Sequence, residues 1–236
     1  MGRVFEKRKH KMFARYDKMA KTFTKIGKEI AIAVKQGGPD PIHNAKLRAV
    51  VQNAKNANMP KDRVENAIKR ASSKDAGDFE EVVYEGYGPH KVGLVIECAT
   101  DNPTRTVANI RMYFNRGDGA LGKTGSLSFM FEHKGVFRIA RGENINPEEL
   151  ELELIDFGLD KMEADEEEII IYTAFADFGK MQKALEDRSI ATKKAGHERI
   201  PTTFAELNET QTDEVLELIE KFEEDDDVQA VYHNLK

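Results

Sequence analysis

The chain has 236 residues, of which 40% are hydrophobic and 33% charged, with a net charge of −6 and a mean hydropathy of −0.58. This length allows two or three modest domains, and the composition is typical of soluble globular proteins. No apolar run approaches the roughly 20 residues of a membrane helix. The first residues lack the apolar core of a secretory signal, and the single cysteine, Cys98, excludes an internal disulfide framework. We therefore expect a cytoplasmic protein without a membrane association.

Charge is distributed unevenly along the chain. Residues 1–72 contain 18 Lys and Arg against 6 Asp and Glu, whereas the remainder contains 18 against 36. An asymmetry of this size favours a nucleic-acid partner for the basic part. The alternative is that the basic and acidic parts attract each other within the folded protein.

The basic part is predicted to contain three amphipathic helices. Residues 1–16 have too few apolar side chains for a buried face, so we expect part of them to be a mobile basic arm. A helical period then runs from Asp17 to Lys35, and Gly37-Gly38-Pro39 ends it with a left-handed glycine cap. A second helix is expected over 44–57, and a third from Lys61, after Pro60. Three such helices bury their apolar faces by packing as a bundle.

The first helix has an apolar side and a basic side. Apolar residues recur every three or four positions, and lysines recur at the same spacing on the opposite side. We call these lysines the lysine stripe; they are Lys18, Lys21, Lys25 and Lys28. Four lysines on one face can neutralise several phosphates. The nucleic-acid-binding residues predicted from the sequence are therefore the stripe, the arm and a second set in the other two helices: Lys7, Arg8, Lys9, Lys11, Arg15, Lys18, Lys21, Lys25 and Lys28, then Arg48, Lys55, Lys61, Arg63 and Arg70.

After a polar linker at 72–78 the pattern changes to strands mixed with helices. Strands are predicted at 82–84 and 92–98, then a helix that begins at Pro103 with Asp101 or Asn102 as its cap. A Gly-rich loop over 117–125 and a strand over 126–131 follow. From Gly135 the order strand, helix, strand, strand, helix, strand can be read, which is the ferredoxin-like arrangement.

The last helix and strand, at 210–222 and 228–232, are too small to form a unit alone. They would complete the sheet begun by residues 80–132. We therefore predict an α+β protein with an N-terminal three-helix bundle and two ferredoxin-like α+β domains, one inserted into the other. The predicted domains are 1–78, basic and helical with its linker; 79–132 plus 201–236, discontinuous; and 133–200, inserted.

Residues 117–124, G-D-G-A-L-G-K-T, match the phosphate-loop pattern G-x-x-x-x-G-K-[ST] letter for letter. In a phosphate loop a strand precedes the glycines and a helix follows, so that the helix N-terminus faces the phosphates. Here the predicted order is reversed, which favours a flexible connection; a nucleotide-binding enzyme is the less favoured alternative. The acidic run 163–168 lacks the glycine of a calcium loop. No histidine is placed beside a Ser or Cys nucleophile. We therefore expect no catalytic site, no metal site and no cofactor.

Seven segments, in order, resemble the YebC family, which includes the mitochondrial translational activator of cytochrome oxidase. They are K-x-F-T-K-I-G-K-E-I from Lys21, G-G-P-D-P from Gly37, L-R-A from Leu47, N-A-K-N-A-N-M-P-K-D from Asn53, E-G-Y-G-P from Glu85, T-D-N-P-T-R-T from Thr100 and L-G-K-T-G-S from Leu121. The start, M-G-R-V-F-E-K-R-K-H-K-M, differs from the G-H-S-K-W-x-x-I-K-H-R-K opening of many members and resembles a sub-branch. The resemblance implies three domains and a non-enzymatic role in gene expression.

Members of that family are described as DNA-binding transcriptional regulators, and others as ribosome-associated factors that help translation through proline runs. We therefore expect a nucleic-acid-binding regulator, of the DNA-binding transcriptional type, with a ribosome-associated translation factor as the alternative. The expected partners are DNA, ribosomal RNA or both, and a protein partner for the acidic body. A protein-interaction adaptor built on ferredoxin-like domains is a third possibility.

Overall fold

The computed structural model describes residues 3–73, 77–142 and 145–236, and the side chains of the first helix from Met19 onward. Three helices come first: α1 (Arg3–Gly37), α2 (Ala45–Asn56) and α3 (Lys61–Ala71). The longer elements that follow are β1 (Glu80–Tyr87), β2 (Gly93–Thr100), α4 (Pro103–Arg116), β3 (Ala120–Leu121), β4 (Phe131–Ala140), α5 (Pro147–Leu154), β5 (Leu159–Ala164), β6 (Glu168–Ala174), α6 (Phe178–Asp187), β7 (Thr192–Pro201), α7 (Glu209–Glu223) and β8 (Val228–His233).

The three N-terminal helices share one apolar core, as the periodicity predicts. Its buried members come from the apolar side of α1 and the facing sides of α2 and α3: Ile26, Ile30, Ala33, Val34, Leu47, Val50, Ala54 and Val64. Gly38 ends α1 in the left-handed region with a φ of 84°. Asn44 begins α2 by accepting from the Leu47 backbone N–H at 3.0 Å, and its amide donates to the carbonyl of Ala33 at 2.7 Å. One buried amide therefore joins the end of α1 to the start of α2.

The first helix begins earlier than predicted: α1 starts at Arg3 and not at Asp17, so the segment in which part of a mobile arm was expected has a helical backbone from Arg3 onward. A segment with few apolar residues has little reason to be buried, but it can still form a helix. Residues 3–16 contain no Gly or Pro, and six of these 14 residues are Lys or Arg, which favour helix. The side chains of 3–18 lie outside the described part of the chain.

Two antiparallel sheets of four strands follow the helices, so the protein is α+β. The first sheet has the order β3-β1-β2-β8, and α4 and α7 cover one of its faces around buried residues such as Ile96, Phe114 and Phe222. The second has the order β5-β6-β4-β7, in which the first strand of the unit lies between the third and the fourth. Helices α5 and α6 cover that sheet around Phe137, Leu154 and related residues. The chain enters the second sheet at Phe131 and leaves it at Pro201, which is compatible with the predicted insertion; the domain boundaries themselves stay a prediction.

The predicted strand over 126–131 is also wrong, because residues 124–130 form turns and β4 begins only at Phe131. A carboxylate in β1 holds these turns. Glu85, which is buried, accepts from the backbone N–H of Gly125 at 2.9 Å and from that of Leu127 at 2.6 Å. Backbone amides directly after the phosphate-loop-like segment, residues 117–124, are therefore bonded to the protein's own carboxylate. The helix–loop–strand order is also the reverse of a phosphate loop, and neither feature favours a nucleotide there.

Among the described residues, no helix combines the length and the apolarity needed to cross a bilayer.

Candidate nucleic-acid interface

The lysine stripe does not form one uniform surface. Lys28 Nζ lies 2.8 Å from Asp227 Oδ1 and donates to the Asp226 carbonyl at 2.7 Å, and its side chain is only 11% exposed. Lys25 Nζ donates to the Glu223 carbonyl at 3.4 Å. Lys21 is exposed, and the side chain of Lys18 lies outside the described part of the chain. The C-terminal half of the stripe therefore contacts the acidic turn, residues 223–227, between α7 and β8.

Asp227 is the centre of this contact. Its Oδ2 accepts from Arg105 at 2.7 Å, from Thr106 at 2.9 Å and from Thr100 at 3.3 Å, while Oδ1 faces Lys28. Burial alone would raise the pKa of the Asp227 carboxyl, but the hydrogen bonds from Lys28, Arg105 and Thr106 outweigh it and lower the pKa to about 2. Asp227 is thus ionised at neutral pH, and it neutralises the charge of Lys28 inside the protein.

The sequence contains one sign that this half of the stripe is covered, the apolar residue Ile32. Ile32 lies one turn after Lys28, about 40° away on a helix of 100° per residue. It is 3% exposed, and this side of α1 packs on β2. An isoleucine within a basic face is a sign that the face is buried. Lys25 and Lys28 therefore contact the acidic body. For these two lysines the structure agrees with the alternative that the basic and acidic parts attract each other within the folded protein.

Helix α2 is also held by the body. Asn53 exchanges two hydrogen bonds with the backbone of Ala195 in β7, at 2.7 Å and 3.0 Å. Asn56 donates to the carbonyls of Thr192 and Lys193. These side-chain amides dock α2 on β7, although Asn56 is also exposed to solvent. Sequence reasoning missed this role, because exposed asparagines on a helix carry no signal of their partner.

Arg48, predicted to bind nucleic acid, supports the loop before α2. Its guanidinium donates to the carbonyls of Pro41 and Ile42, at 3.0 Å each, and lies 3.0 Å from Glu186 Oε1. The structure therefore gives Arg48 an intramolecular role.

Lys35 and Lys46 also pair with acidic residues, Asp78 and Glu81, which leaves a surface of five further exposed basic residues on the helices. We call this surface the outer basic face; it comprises Lys21, Lys55, Arg63, Lys69 and Arg70, all exposed. Within the described ranges no ion pair reaches any of these five cations, whereas Lys61 lies 3.4 Å from Glu65. The guanidinium of Arg63 lies 5.8 Å from the Phe23 ring centroid, which places the start of α3 beside α1. Lys69 was not singled out from the sequence. Lys7, Arg8, Lys9, Lys11 and Arg15 lie on α1, with side chains outside the described residues.

Known protein families match this sequence over nearly its whole length. Residues 3–74 match "TACO1/YebC protein N-terminal domain", and residues 79–235 match "TACO1/YebC second and third domain". A protein of Cytophaga hutchinsonii named a probable transcriptional regulatory protein is 59% identical over 235 residues, covering 100% of this chain and 98% of its own. A protein of Myxococcus xanthus with the same name is 54% identical, with 100% of both chains covered.

The crystal structure of a conserved hypothetical protein from Aquifex aeolicus is similar with a TM-score of 0.81 and 35% sequence identity, over 92% of this chain and 90% of that one. The matches extend through the helices and both sheets, so they concern the entire architecture and not one module. The chain therefore belongs to the TACO1/YebC family.

Proposed function

We propose that this protein is a cytoplasmic, non-enzymatic regulator of gene expression that binds nucleic acid through the outer basic face and the N-terminal half of α1. The observation that carries the proposal is the uncompensated charge of the outer basic face. The acidic body neutralises Lys28 and engages Lys25, yet no ion pair within the described ranges reaches Lys21, Arg63 or Arg70.

The geometry of α1 supports an extended contact. At 1.5 Å per residue its 35 residues span about 52 Å. Among the side chains described in α1, from Met19 onward, the first buried core residue is Ile26, and the helical backbone extends back to Arg3. The basic residues in the N-terminal half of α1 therefore lie on the same continuous helix as Lys21. Contacts from lysines and arginines to phosphates provide affinity and orientation but little sequence information.

DNA is the target that the names of the curated relatives favour, since transcriptional regulation involves it. A ribosome-associated translation factor is the alternative, because ribosomal RNA presents the same phosphates. The proposed contacts involve charge alone, so they suit either nucleic acid. The test must therefore compare both targets directly.

Fluorescence anisotropy with a labelled DNA duplex and a labelled ribosomal RNA fragment, over a series of salt concentrations, tests the proposal. The variant reverses Lys21, Arg63 and Arg70 to Glu. If these three cations neutralise three phosphates, the slope of log affinity against log salt should become shallower by about 2.7 for duplex DNA.

The matched control reverses three exposed lysines of the body, Lys91, Lys183 and Lys221, which produces the same change in net charge. Its salt slope should stay that of the unmodified protein. An affinity that does not depend on salt, or equal losses in the variant and the control, would contradict binding through the outer basic face. The nucleic acid with the larger specific loss is the target that the face serves.

A further inference from the structure

The helices and both sheets meet around a cavity of about 480 Å³. Residues of α1 and α2 line one side, strands β1, β2 and β8 line the second, and β7 with the start of α6 lines the third. Small-molecule sites commonly have volumes of roughly 300–1,000 Å³ and lie where domains meet. The size and position of the cavity are therefore those of a ligand site.

Acidic side chains outnumber basic side chains in the cavity wall. Its three cations each have a partner in the wall: Lys46 pairs with Glu81, Lys194 with Glu198 at 3.1 Å, and Arg199 with Glu97 at 2.8 Å. A fourth carboxylate, Glu29 of α1, also lines the cavity. Within the described ranges Glu29 makes no ion pair or hydrogen bond. Carboxylates that line the cavity thus exceed the lining cations by one, and Arg138, which is outside the lining, lies 3.2 Å from Glu198 and shares it with Lys194.

A partly buried carboxylate without an ion pair is costly, because a charge that leaves water needs compensation. Burial raises the pKa of Glu29, and the charges of Lys194 and Lys46 only partly oppose that effect. A cation placed beside Glu29 would supply the missing compensation. An anion would instead add to the existing excess of negative charge.

Neutral groups of the wall also lack partners. Burial lowers the pKa of His197 to about 4, so its ring is neutral at pH 7 and one ring nitrogen is a bare acceptor. His197 Nε2 is buried without a hydrogen-bond partner, as are both polar atoms of the Gln229 amide. The cavity therefore offers acceptors for the N–H groups of a ligand.

Aromatic rings form a further part of the wall. Phe175 lies 4.6 Å from His133 and 4.3 Å from His197, and Phe178 lies 4.5 Å from His197, measured between ring centroids. Burial also lowers the pKa of His133, so this cluster adds no positive charge at pH 7. Neutral rings beside a carboxylate suit the flat body of an organic cation.

We propose that this cavity binds a small organic cation, an amidinium, guanidinium or ammonium compound with a flat apolar body, whose charge pairs with Glu29 and whose N–H groups donate to His197 or Gln229. The inference does not depend on nucleic-acid binding, since the outer basic face and the cavity share no residue. The two activities can therefore fail separately.

Isothermal titration calorimetry on the full chain at pH 7, with three ligands of similar shape, tests the proposal. They are benzamidine, which is a cation, benzamide, which is neutral, and benzoate, which is an anion. Benzamidine should bind at least about tenfold more tightly than benzamide, and benzoate should give no heat of binding. Glu29→Gln should weaken benzamidine binding about tenfold or more, while Glu217→Gln, on the exposed side of α7, should leave it unchanged.

Circular dichroism establishes that Glu29→Gln is folded, and the ligand comparison in the unmodified protein tests charge selection without any variant. Equal affinity for benzamidine and benzamide would overturn the proposal. Unchanged benzamidine binding in a folded Glu29→Gln protein, or no binding of benzamidine at 10 mM (roughly the weak limit for a fragment of its size), would overturn it as well. None of these results concerns the anisotropy experiment on nucleic acid.

Discussion

Replacing Asp227 by Asn tests the contact between the helices and the acidic turn. Asn keeps the size of the side chain and one acceptor oxygen, so Thr106 and Arg105 retain a hydrogen-bond partner. What it removes is the charge that faces Lys28 at 2.8 Å. Because the side chains of Lys28 and Asp227 are only 11% and 7% exposed, water can replace that charge only in part.

Two arguments set the magnitude of the loss. The carboxyl pKa falls from an ordinary 3.8 to about 2 in the folded protein, which corresponds to about 2 kcal/mol of stability at pH 7. Leaving one member of a buried ion pair without its partner typically costs about 3–5 kcal/mol. Since Lys28 keeps the Asp226 carbonyl as an acceptor, we expect a loss of about 2–4 kcal/mol and a fall in melting temperature of roughly 5–15 °C.

Thermal melting of Asp227→Asn at several pH values is the assay, with Asp226→Asn as the control. Asp226 is exposed and gives Lys28 only its backbone carbonyl, so its substitution should change the melting temperature little. A carboxyl whose pKa is lowered by folding contributes stability above its unfolded pKa and loses it as the pH falls through the folded value. The difference between Asp227→Asn and the unmodified protein should therefore shrink between pH 3.8 and pH 2. Equal melting of the two variants at pH 7 would refute the reasoning.

Two further predictions concern carboxylates with opposite effects, the buried Glu85 and the partly buried Glu29. Glu85→Ala should lower the free energy of unfolding by about 2–3 kcal/mol, because the backbone amides of Gly125 and Leu127 lose their acceptor. It should also speed hydrogen exchange over 122–127. The control Glu80→Ala, at the exposed start of the same strand, should have neither effect. Glu29→Gln should raise the melting temperature at pH 8 and leave it unchanged near pH 4, because a carboxyl whose pKa is raised by folding destabilises the protein above its unfolded pKa. A melting temperature of Glu29→Gln below that of the unmodified protein at pH 8 would contradict the inference that the Glu29 carboxylate lacks a counter-ion.

Local patterns in the sequence were sufficient for most elements of the fold. The start of α4 at Pro103 with Asn102 as its cap, the end of α1 at the glycines, and the strand and helix order of the second sheet all depend on residues within a few positions of each other. Periodicity and capping act over such distances, so they can be recognised in a single chain. The α+β class and the family resemblance rested on the same kind of information.

The tertiary structure alone decided which basic residues are neutralised. Lys28 and Asp227 are 199 positions apart, and Glu85 and Leu127 are 42 apart, so no local pattern connects either pair. By itself the sequence determined that a basic helical part is joined to an acidic α+β body. Packing the two together covered the C-terminal half of the lysine stripe, gave the outer basic face no ion pair among the described side chains, and placed Glu29 in the cavity wall. The physical reason is that the partner of a charge is set by long-range packing, which brings together residues that the chain keeps far apart.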